Sequence, residues 1–145
     1  MLSEMKLKLK VYSDGASRGN PGPSAIAFMI LTEDGKILKR HSRYVGIRTN
    51  NQAEYEALIS ALEFASKLTS QEVVCYLDSE LVVKHLNGEY QVKNPNLKKL
   101  WLKVKELEQK FQKTSFMYVP RTDRYIEKVD LLANQTLDKV TNRCL

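Results

Sequence analysis

The stretch NQAEYEALISALEFASKLTSQEVVCYLD (51–78) changes its period partway along. Between Asn51 and Leu68, the residues Ala57, Leu58, Ala61, Leu62, Ala65 and Leu68 return at steps of three and four, which marks one apolar face of a helix. EVVCYL (72–77) then runs apolar and β-rich without alternation, as a strand does when both its faces are covered in the parallel part of a sheet. A strand before this helix and the strand after it make a crossover unit, and that unit sets the fold class.

Upstream, KLKLKVYS (6–13) alternates lysine with apolar residues and stops at Asp14-Gly15. SAIAFMILT (24–32) is a more continuous apolar run, and EDGK (33–36) offers a tight turn into ILKRHSRYV (37–45). These read as three antiparallel strands, the third carrying Lys39, Arg40, His41 and Arg43, charges that protect a sheet edge from pairing. Downstream, SELVVKHLN (79–87) reads as a short helix ended by Gly88, and 94–111 as a longer one with Pro95 in its first turn. TSFMYV (114–119) is expected as a fifth strand and 127–140 as the last helix. The expected fold class is α/β: a single mixed five-stranded sheet, three antiparallel strands then two parallel additions, flanked by helices, in one domain over 1–145.

Of the 145 residues, 43% are hydrophobic and 28% charged, and no run approaches the roughly 18 apolar residues of a membrane span. A soluble, cytoplasmic, monomeric protein with no membrane partner is expected. Cys75 and Cys144 form neither a disulfide framework nor a zinc spacing, so reduced thiols are expected. Lysine plus arginine outnumber aspartate plus glutamate by 23 to 17, which suits a polyanionic partner without requiring one.

Four carboxylates occupy the ends of these elements: Asp14 after strand 1, Asp78 after strand 4, Glu54 early in the first helix and Asp130 at the start of the last. At 100° per residue, Leu58, Ala61, Ala65 and Leu68 all fall within about 40° of Glu54, which places it in the middle of the apolar stripe. Each carboxylate also has a local reading. Asn51 and Glu54 fit a capping box, Asp14-Gly15 fits a turn, and Asp78 and Asp130 fit helix starts that favour negative charge. Ligands in open α/β sheets bind beyond the carboxyl ends of the strands, where all four would meet. Together they would repel one another unless cations neutralised them, and hard oxygen ligands favour Mg²⁺ or Mn²⁺. Two such ions about 4 Å apart suit in-line phosphodiester hydrolysis.

YSDGASRGNPGP (12–23), TNNQAEYEAL (49–58), LDSELVVKHLNGEY (77–90) and VDLLAN (129–134), in this order and spacing, resemble ribonuclease HI over residues 7–138. The resemblance implies a ribonuclease H-like fold and an endonuclease that cuts the RNA strand of RNA·DNA hybrids with two Mg²⁺ ions, Mn²⁺ being a possible substitute, and leaves 5′-phosphate and 3′-hydroxyl ends. It implies that Asp14, Glu54, Asp78 and Asp130 are the catalytic metal ligands, and that Ser79 caps the helix after Asp78. By the same match, Asn50 and Asn51 face the minor groove of the hybrid, whose 2′-hydroxyls short amides can recognise, Asn20 falls near that groove, and Thr49 and Asn94 hold a phosphate of the DNA strand. Asn51 and Asn94 also fit helix caps.

The chain departs from the family at several points. Residues 114–130 contain no counterpart of the histidine that many members carry before the last aspartate. His41 and His85 do not match that position and read as solvated or structural. Arg121 or Arg124 is the candidate accessory group, although arginine cannot act as a general acid at neutral pH. The segment VPRTDRYIEKVDLLAN (119–134) is longer than usual, which leaves Asp123 as a fallback for Asp130. A short form is expected, without the family's lysine-rich handle or an N-terminal hybrid-binding domain. Grip then falls to the groove and to lysines such as Lys93, Lys98 and Lys99, with a modest salt dependence; Lys103 and Lys105 read as a solvated helix face and Trp101 as core. A related nuclease for other duplexes and a noncatalytic hybrid-binding module are the competing readings.

Overall fold

Among residues 7–142, which the computed structural model describes, the elements run β1 (Lys8–Ser17), β2 (Gly22–Thr32), β3 (Ile37–Arg48), α1 (Asn50–Ala65), β4 (Glu72–Leu77), α2 (Glu80–Leu86), α3 (Pro95–Glu108), β5 (Lys113–Tyr118) and α4 (Arg124–Asn142). Cys144 lies outside the described residues. The sheet order is β3-β2-β1-β4-β5. β1 and β2, like β2 and β3, pair antiparallel, whereas β1 with β4 and β4 with β5 pair parallel. The expected fold class therefore holds, with the charged β3 at one edge.

The two faces of the sheet bury different sets of side chains. Leu9 and Val11 of β1, Phe28 and Ile30 of β2, and Val73, Cys75 and Leu77 of β4 pack with Leu58 and Leu62 of α1 and Val104 of α3. On the opposite face Tyr12, Ala27, Met29 and Leu31 meet Ile126, Val129, Ala133 and Leu137 of α4. β2 reads as a continuous apolar run although it is antiparallel, because both its faces are covered. Cys75 is a free thiol inside this core, and burial pushes its pKa up.

Three local readings are corrected by the structure. First, Asp14-Gly15 is not a turn: β1 continues to Ser17, with Asp14 opposite Ala27 and Gly15 opposite Ile26. Second, α1 is capped by Thr49, whose Oγ1 accepts from the Gln52 N–H at 3.2 Å while the Gln52 side chain accepts from the Thr49 N–H at 2.9 Å. The box is Thr49 with Gln52, not Asn51 with Glu54, which leaves the Glu54 carboxylate free of any capping duty. Third, α4 starts at Arg124, because the Asp123 carboxylate accepts from the N–H groups of Tyr125 and Ile126 at 2.9 and 3.0 Å. Asp130 thus lies inside the helix rather than at its start. Ser79 caps α2 as expected, accepting from the Val82 N–H at 3.3 Å.

Gly15 lets α1 reach the sheet. A Cβ at this position would stand 2.2 Å from the Ala53 carbonyl carbon and 2.5 Å from the Glu54 nitrogen, both backbone atoms of a helix that cannot yield locally. We expect Gly15→Ala to destabilise the fold by about 3 kcal/mol in urea unfolding, the upper end of the usual cost of overpacking. A loss below about 1 kcal/mol would show that α1 can slide off β1 cheaply.

Candidate metal centre

The parallel pairing of β1 with β4 ends at Tyr12 opposite Tyr76, whose rings stack with centroids 4.7 Å apart. Asp14 and Asp78 each come two residues later in their chains, so the strands deliver them side by side where the sheet splays open. Glu54 arrives from α1, and its Oε1 accepts from the Gly15 N–H at 3.0 Å. Each of the three carboxylates offers an oxygen, and these oxygens all lie within 4.8 Å of one another. Asp14 is 4% exposed and Glu54 7%.

Such a cluster is costly when ionised. Burial first, then the charge of Glu54, its contact, the charge of Asp78 and the contact with Asp130 all push the Asp14 carboxyl far above its ordinary range. Burial also pushes Glu54 up to about 7; the charge of Asp78 adds to this, while the hydrogen bonds from Asp14 and the Gly15 N–H oppose it. The contact between Asp14 and Glu54 is a hydrogen bond only if one of the pair carries a proton. With both ionised, Glu54 Oε2 is buried without a donor. The cation beside the cluster is Arg121, whose Nε stands 3.6 Å from Asp78 Oδ2 on a side chain 83% exposed, too solvated to neutralise three charges. A buried all-oxygen set with an orphaned acceptor fits a hard divalent cation such as Mg²⁺ or Mn²⁺.

Asp130 approaches from α4. It is half-buried, touches the Asp14 carboxyl, and its Oδ1 accepts from the Asn134 side chain at 3.2 Å. Asp123, the fallback, spends its carboxylate on the start of α4 and stays a cap.

The residues matched to nucleic-acid contacts gather around the starts of α1 and α3. Asn20 Oδ1 accepts from the Asn50 N–H at 2.9 Å, which ties the β1–β2 loop to the first residue of α1; both asparagines are exposed. Asn51 follows in the same turn, and Thr49 caps it. Asn94 caps α3, accepting from the N–H groups of Asn96 and Leu97 at 2.8 and 3.1 Å. Gln52 and Asn96, neighbours of Thr49 and Asn94, line one hollow of about 190 Å³ with Arg48 and Lys99. Arg124 is the exposed first residue of α4, with its guanidinium 5.4 Å from the Tyr125 ring centroid.

His85 proves structural. It is buried in α2 and shares a 2.9 Å hydrogen bond with Tyr55, while its carbonyl accepts from Trp101 Nε1 at 3.1 Å. His41 sits on β3 against Phe28, away from the carboxylates. Lys105 is not a solvated residue: its Nζ donates to the Leu86 carbonyl at 2.7 Å and pairs with Glu108 at 3.4 Å. Trp101 is only partly buried, with Lys98 over its ring at 4.5 Å. Sequence reasoning missed Gln52 of the cap, Arg18 of the β1–β2 loop and Asn134. The i to i+4 spacing of Asp130 and Asn134 was the available signal for the last.

Comparison with known proteins agrees with this architecture. A family model described as reverse transcriptase-like matches residues 12–136. The ribonuclease HI of Halobacterium salinarum is 40% identical over 131 residues, 90% of this chain and 65% of that protein, and the crystal structure of the RNase H1 from this archaeon superposes with a TM-score of 0.86, covering 91% of this chain and 98% of that one. The N-terminal RNase H domain of a bifunctional protein of Mycobacterium tuberculosis, 34% identical, superposes with a TM-score of 0.89 over 97% of this chain and 100% of that one. LC11-RNase H1, solved in complex with an RNA/DNA hybrid, is 40% identical, with a TM-score of 0.85 over 92% of this chain and 99% of that one. The chain belongs to the reverse transcriptase-like family, in its ribonuclease HI branch. It spans 65% of the length of the Halobacterium protein and 36% of the full mycobacterial one.

The raised carboxyls set a pH dependence that can be measured without cation. A folded pKa above the unfolded value means that the native state holds a proton the unfolded chain has lost, so stability falls as pH rises from about 4, by up to about 1.4 kcal/mol per unit for each such proton. In EDTA, Asp14→Asn is expected to be more stable than the parent at pH 7 by about 2 kcal/mol, with the gap closing toward pH 4. Equal stability of the two at every pH would show that the cluster carries no electrostatic strain.

Proposed function

We propose that this chain is a metal-dependent endoribonuclease that hydrolyses the RNA strand of RNA·DNA hybrids and leaves 5′-phosphate and 3′-hydroxyl ends. The observation that carries the reading is the set of three buried carboxylates within 4.8 Å of one another, with Asp130 in contact with Asp14. The similarity to ribonuclease HI proteins, one of them solved with an RNA/DNA hybrid, supports the choice of substrate.

In this reading Asp14, Glu54, Asp78 and Asp130 hold two Mg²⁺ ions, or Mn²⁺ in their place. When bound, such ions supply charge neutralisation of the phosphodiester transition state and a water of lowered pKa. The protein's own part is to keep Asp14, Glu54 and Asp78 converged, with Asp130 beside Asp14, before substrate arrives, so that little reorganisation is needed at the moment of reaction. Asn50 and Asn51 open α1, less than two turns before Glu54, and Asn20 of the β1–β2 loop accepts from the Asn50 N–H; all three are assigned to the minor groove, where the 2′-hydroxyl distinguishes RNA from DNA. Thr49 and Asn94 are assigned to a DNA-strand phosphate. Each spends an oxygen as a cap acceptor, which leaves the Thr49 hydroxyl hydrogen and the Asn94 amide hydrogens to donate. Arg121 and, at the head of α4, Arg124 are assigned to the leaving phosphate as fixed positive charge, not as acids. We place the protein in the cytoplasm as a monomer, with the given chain forming one catalytic domain; among the described residues no helix is long and apolar enough to cross a membrane.

A labelled hybrid, with matched RNA·RNA and DNA·DNA duplexes, tests the reading in Mg²⁺, Mn²⁺ or EDTA. Cutting of the hybrid's RNA strand that requires metal is expected, and Asp78→Asn should lower it about 100-fold or more, the scale on which a preorganised charge counts. Binding of the hybrid without cleavage in any metal would replace the enzyme with a binding module.

A further inference from the structure

Asn134 closes the VDLLAN motif, and no role assigned so far uses it. It lies one helical turn beyond Asp130 on α4 and points its amide back along the helix. Nδ2 donates to Asp130 Oδ1 at 3.2 Å and to the Asp130 carbonyl at 3.0 Å. A carboxylate on a helix surface has free rotation about χ1 and χ2, and a donor held at i+4 selects the rotamers that meet it. The turn of α4 that carries this donor is anchored from outside the helix. The Asn134 main-chain carbonyl accepts from Arg18 Nη2 at 3.2 Å, the same nitrogen binds Asp138 Oδ1 at 2.6 Å, and Arg18 Nη1 lies 3.4 Å from the Thr141 hydroxyl. Asn134, Asp138 and Thr141 form one stripe of α4, and Arg18 grips it from the β1–β2 loop.

This loop has a second attachment. Two residues after Arg18, Asn20 Oδ1 accepts from the Asn50 N–H at the start of α1. One short segment between β1 and β2 thus fastens both the helix that carries Glu54 and the helix that carries Asp130. We infer that Asn134, on a turn of α4 that Arg18 anchors, is a positioning residue for Asp130: it fixes the rotamer in which that carboxylate faces Asp14 and so tunes the metal affinity of the site. The inference rests on the proposed assignment of Asp130 as a ligand. A surface asparagine without this duty would stabilise α4 slightly and leave cation binding untouched.

The two cases separate by calorimetric titration of Mn²⁺ into the full chain, with the unfolding temperature of each variant recorded alongside. The variants are Asp130→Asn, Asn134→Ala, Asn134→Asp, Arg18→Ala and the double variant Asp130→Asn with Asn134→Ala. Asn134→Ala is expected to weaken Mn²⁺ roughly tenfold, the usual scale for losing a partner that orients a ligand. Arg18→Ala should act in the same direction but less. Asn134→Asp keeps the shape, loses the donor and adds a like charge, so it should weaken binding at least as much as alanine. In the double variant the Asn134 change should add nothing, because its route through Asp130 is already cut. If Asp130→Asn weakens Mn²⁺ while Asn134→Ala does not, the inference fails and the ligand assignment stands. Additive losses in the double variant would also overturn it, since Asn134 would then act by another route. If neither single variant changes Mn²⁺ binding, the assignment of Asp130 fails and takes the inference with it.

Discussion

The backbone of α1 rests directly on β1 at Gly15, with no room for even a methyl group between strand and helix. That approach brings Glu54 into the sheet's end from one side while β1 and β4 deliver Asp14 and Asp78 from the other. A helix held farther out, at the ordinary distance that side chains impose, would leave Glu54 short of the aspartates. The Gly15 N–H, exposed by the same absence of a side chain, donates to Glu54 and fixes which oxygen is spent and which is left over. The packing constraint and the chemistry of the site are therefore one feature of the backbone.

A cluster built this way works against the stability of the fold. Burial, with the charge of Asp78 alongside, raises the pKa of both Asp14 and Glu54, and the neighbouring arginine is too exposed to offset this. Folding energy from the two hydrophobic faces of the sheet holds the charges in place, and a divalent cation bound there would recover part of it. The ends of the elements that complete the site are tied by polar contacts in addition to the core packing of α1 and α4. Thr49 and Gln52 set the start of α1, Asp123 sets the start of α4, and the β1–β2 loop reaches both helices. Asn20, Thr49 and Asn50, proposed to meet the nucleic acid, sit on these same ties, so that surface is continuous with the scaffold of the carboxylates.

Much of this was legible in the sequence because hydrophobic periodicity and burial report the same physics. β4 was read at its observed bounds since its run is apolar throughout, and Glu54 stood out as a charge inside an apolar stripe. Element ends were harder to read. Thr49-Asn50-Asn51-Gln52 offers several cap candidates, and only the backbone shows that Thr49 and Gln52 close the box. Asp14-Gly15 has the composition of a turn, yet β2 supplies pairing partners that carry the strand through it. The segment before Asp130 reads as a long loop because Asp123 resembles a ligand as much as a cap, so the first turn of α4 stayed hidden. Arg18 and Asn134, far apart in sequence and ordinary in type, carry no local signal for their contact.

With both carboxyls pushed up, Asp14 and Glu54 are expected to share a proton while no cation neutralises them. The most direct measurement is calorimetry of Mg²⁺ or Mn²⁺ binding at pH 7 in two buffers of different ionisation enthalpy, which counts the protons released as the cation binds. Release of about one proton by the parent, and of much less by Asp14→Asn, is the predicted result. Binding with no proton release in the parent would contradict the claim, because the carboxylates would then tolerate one another's charge without a cation.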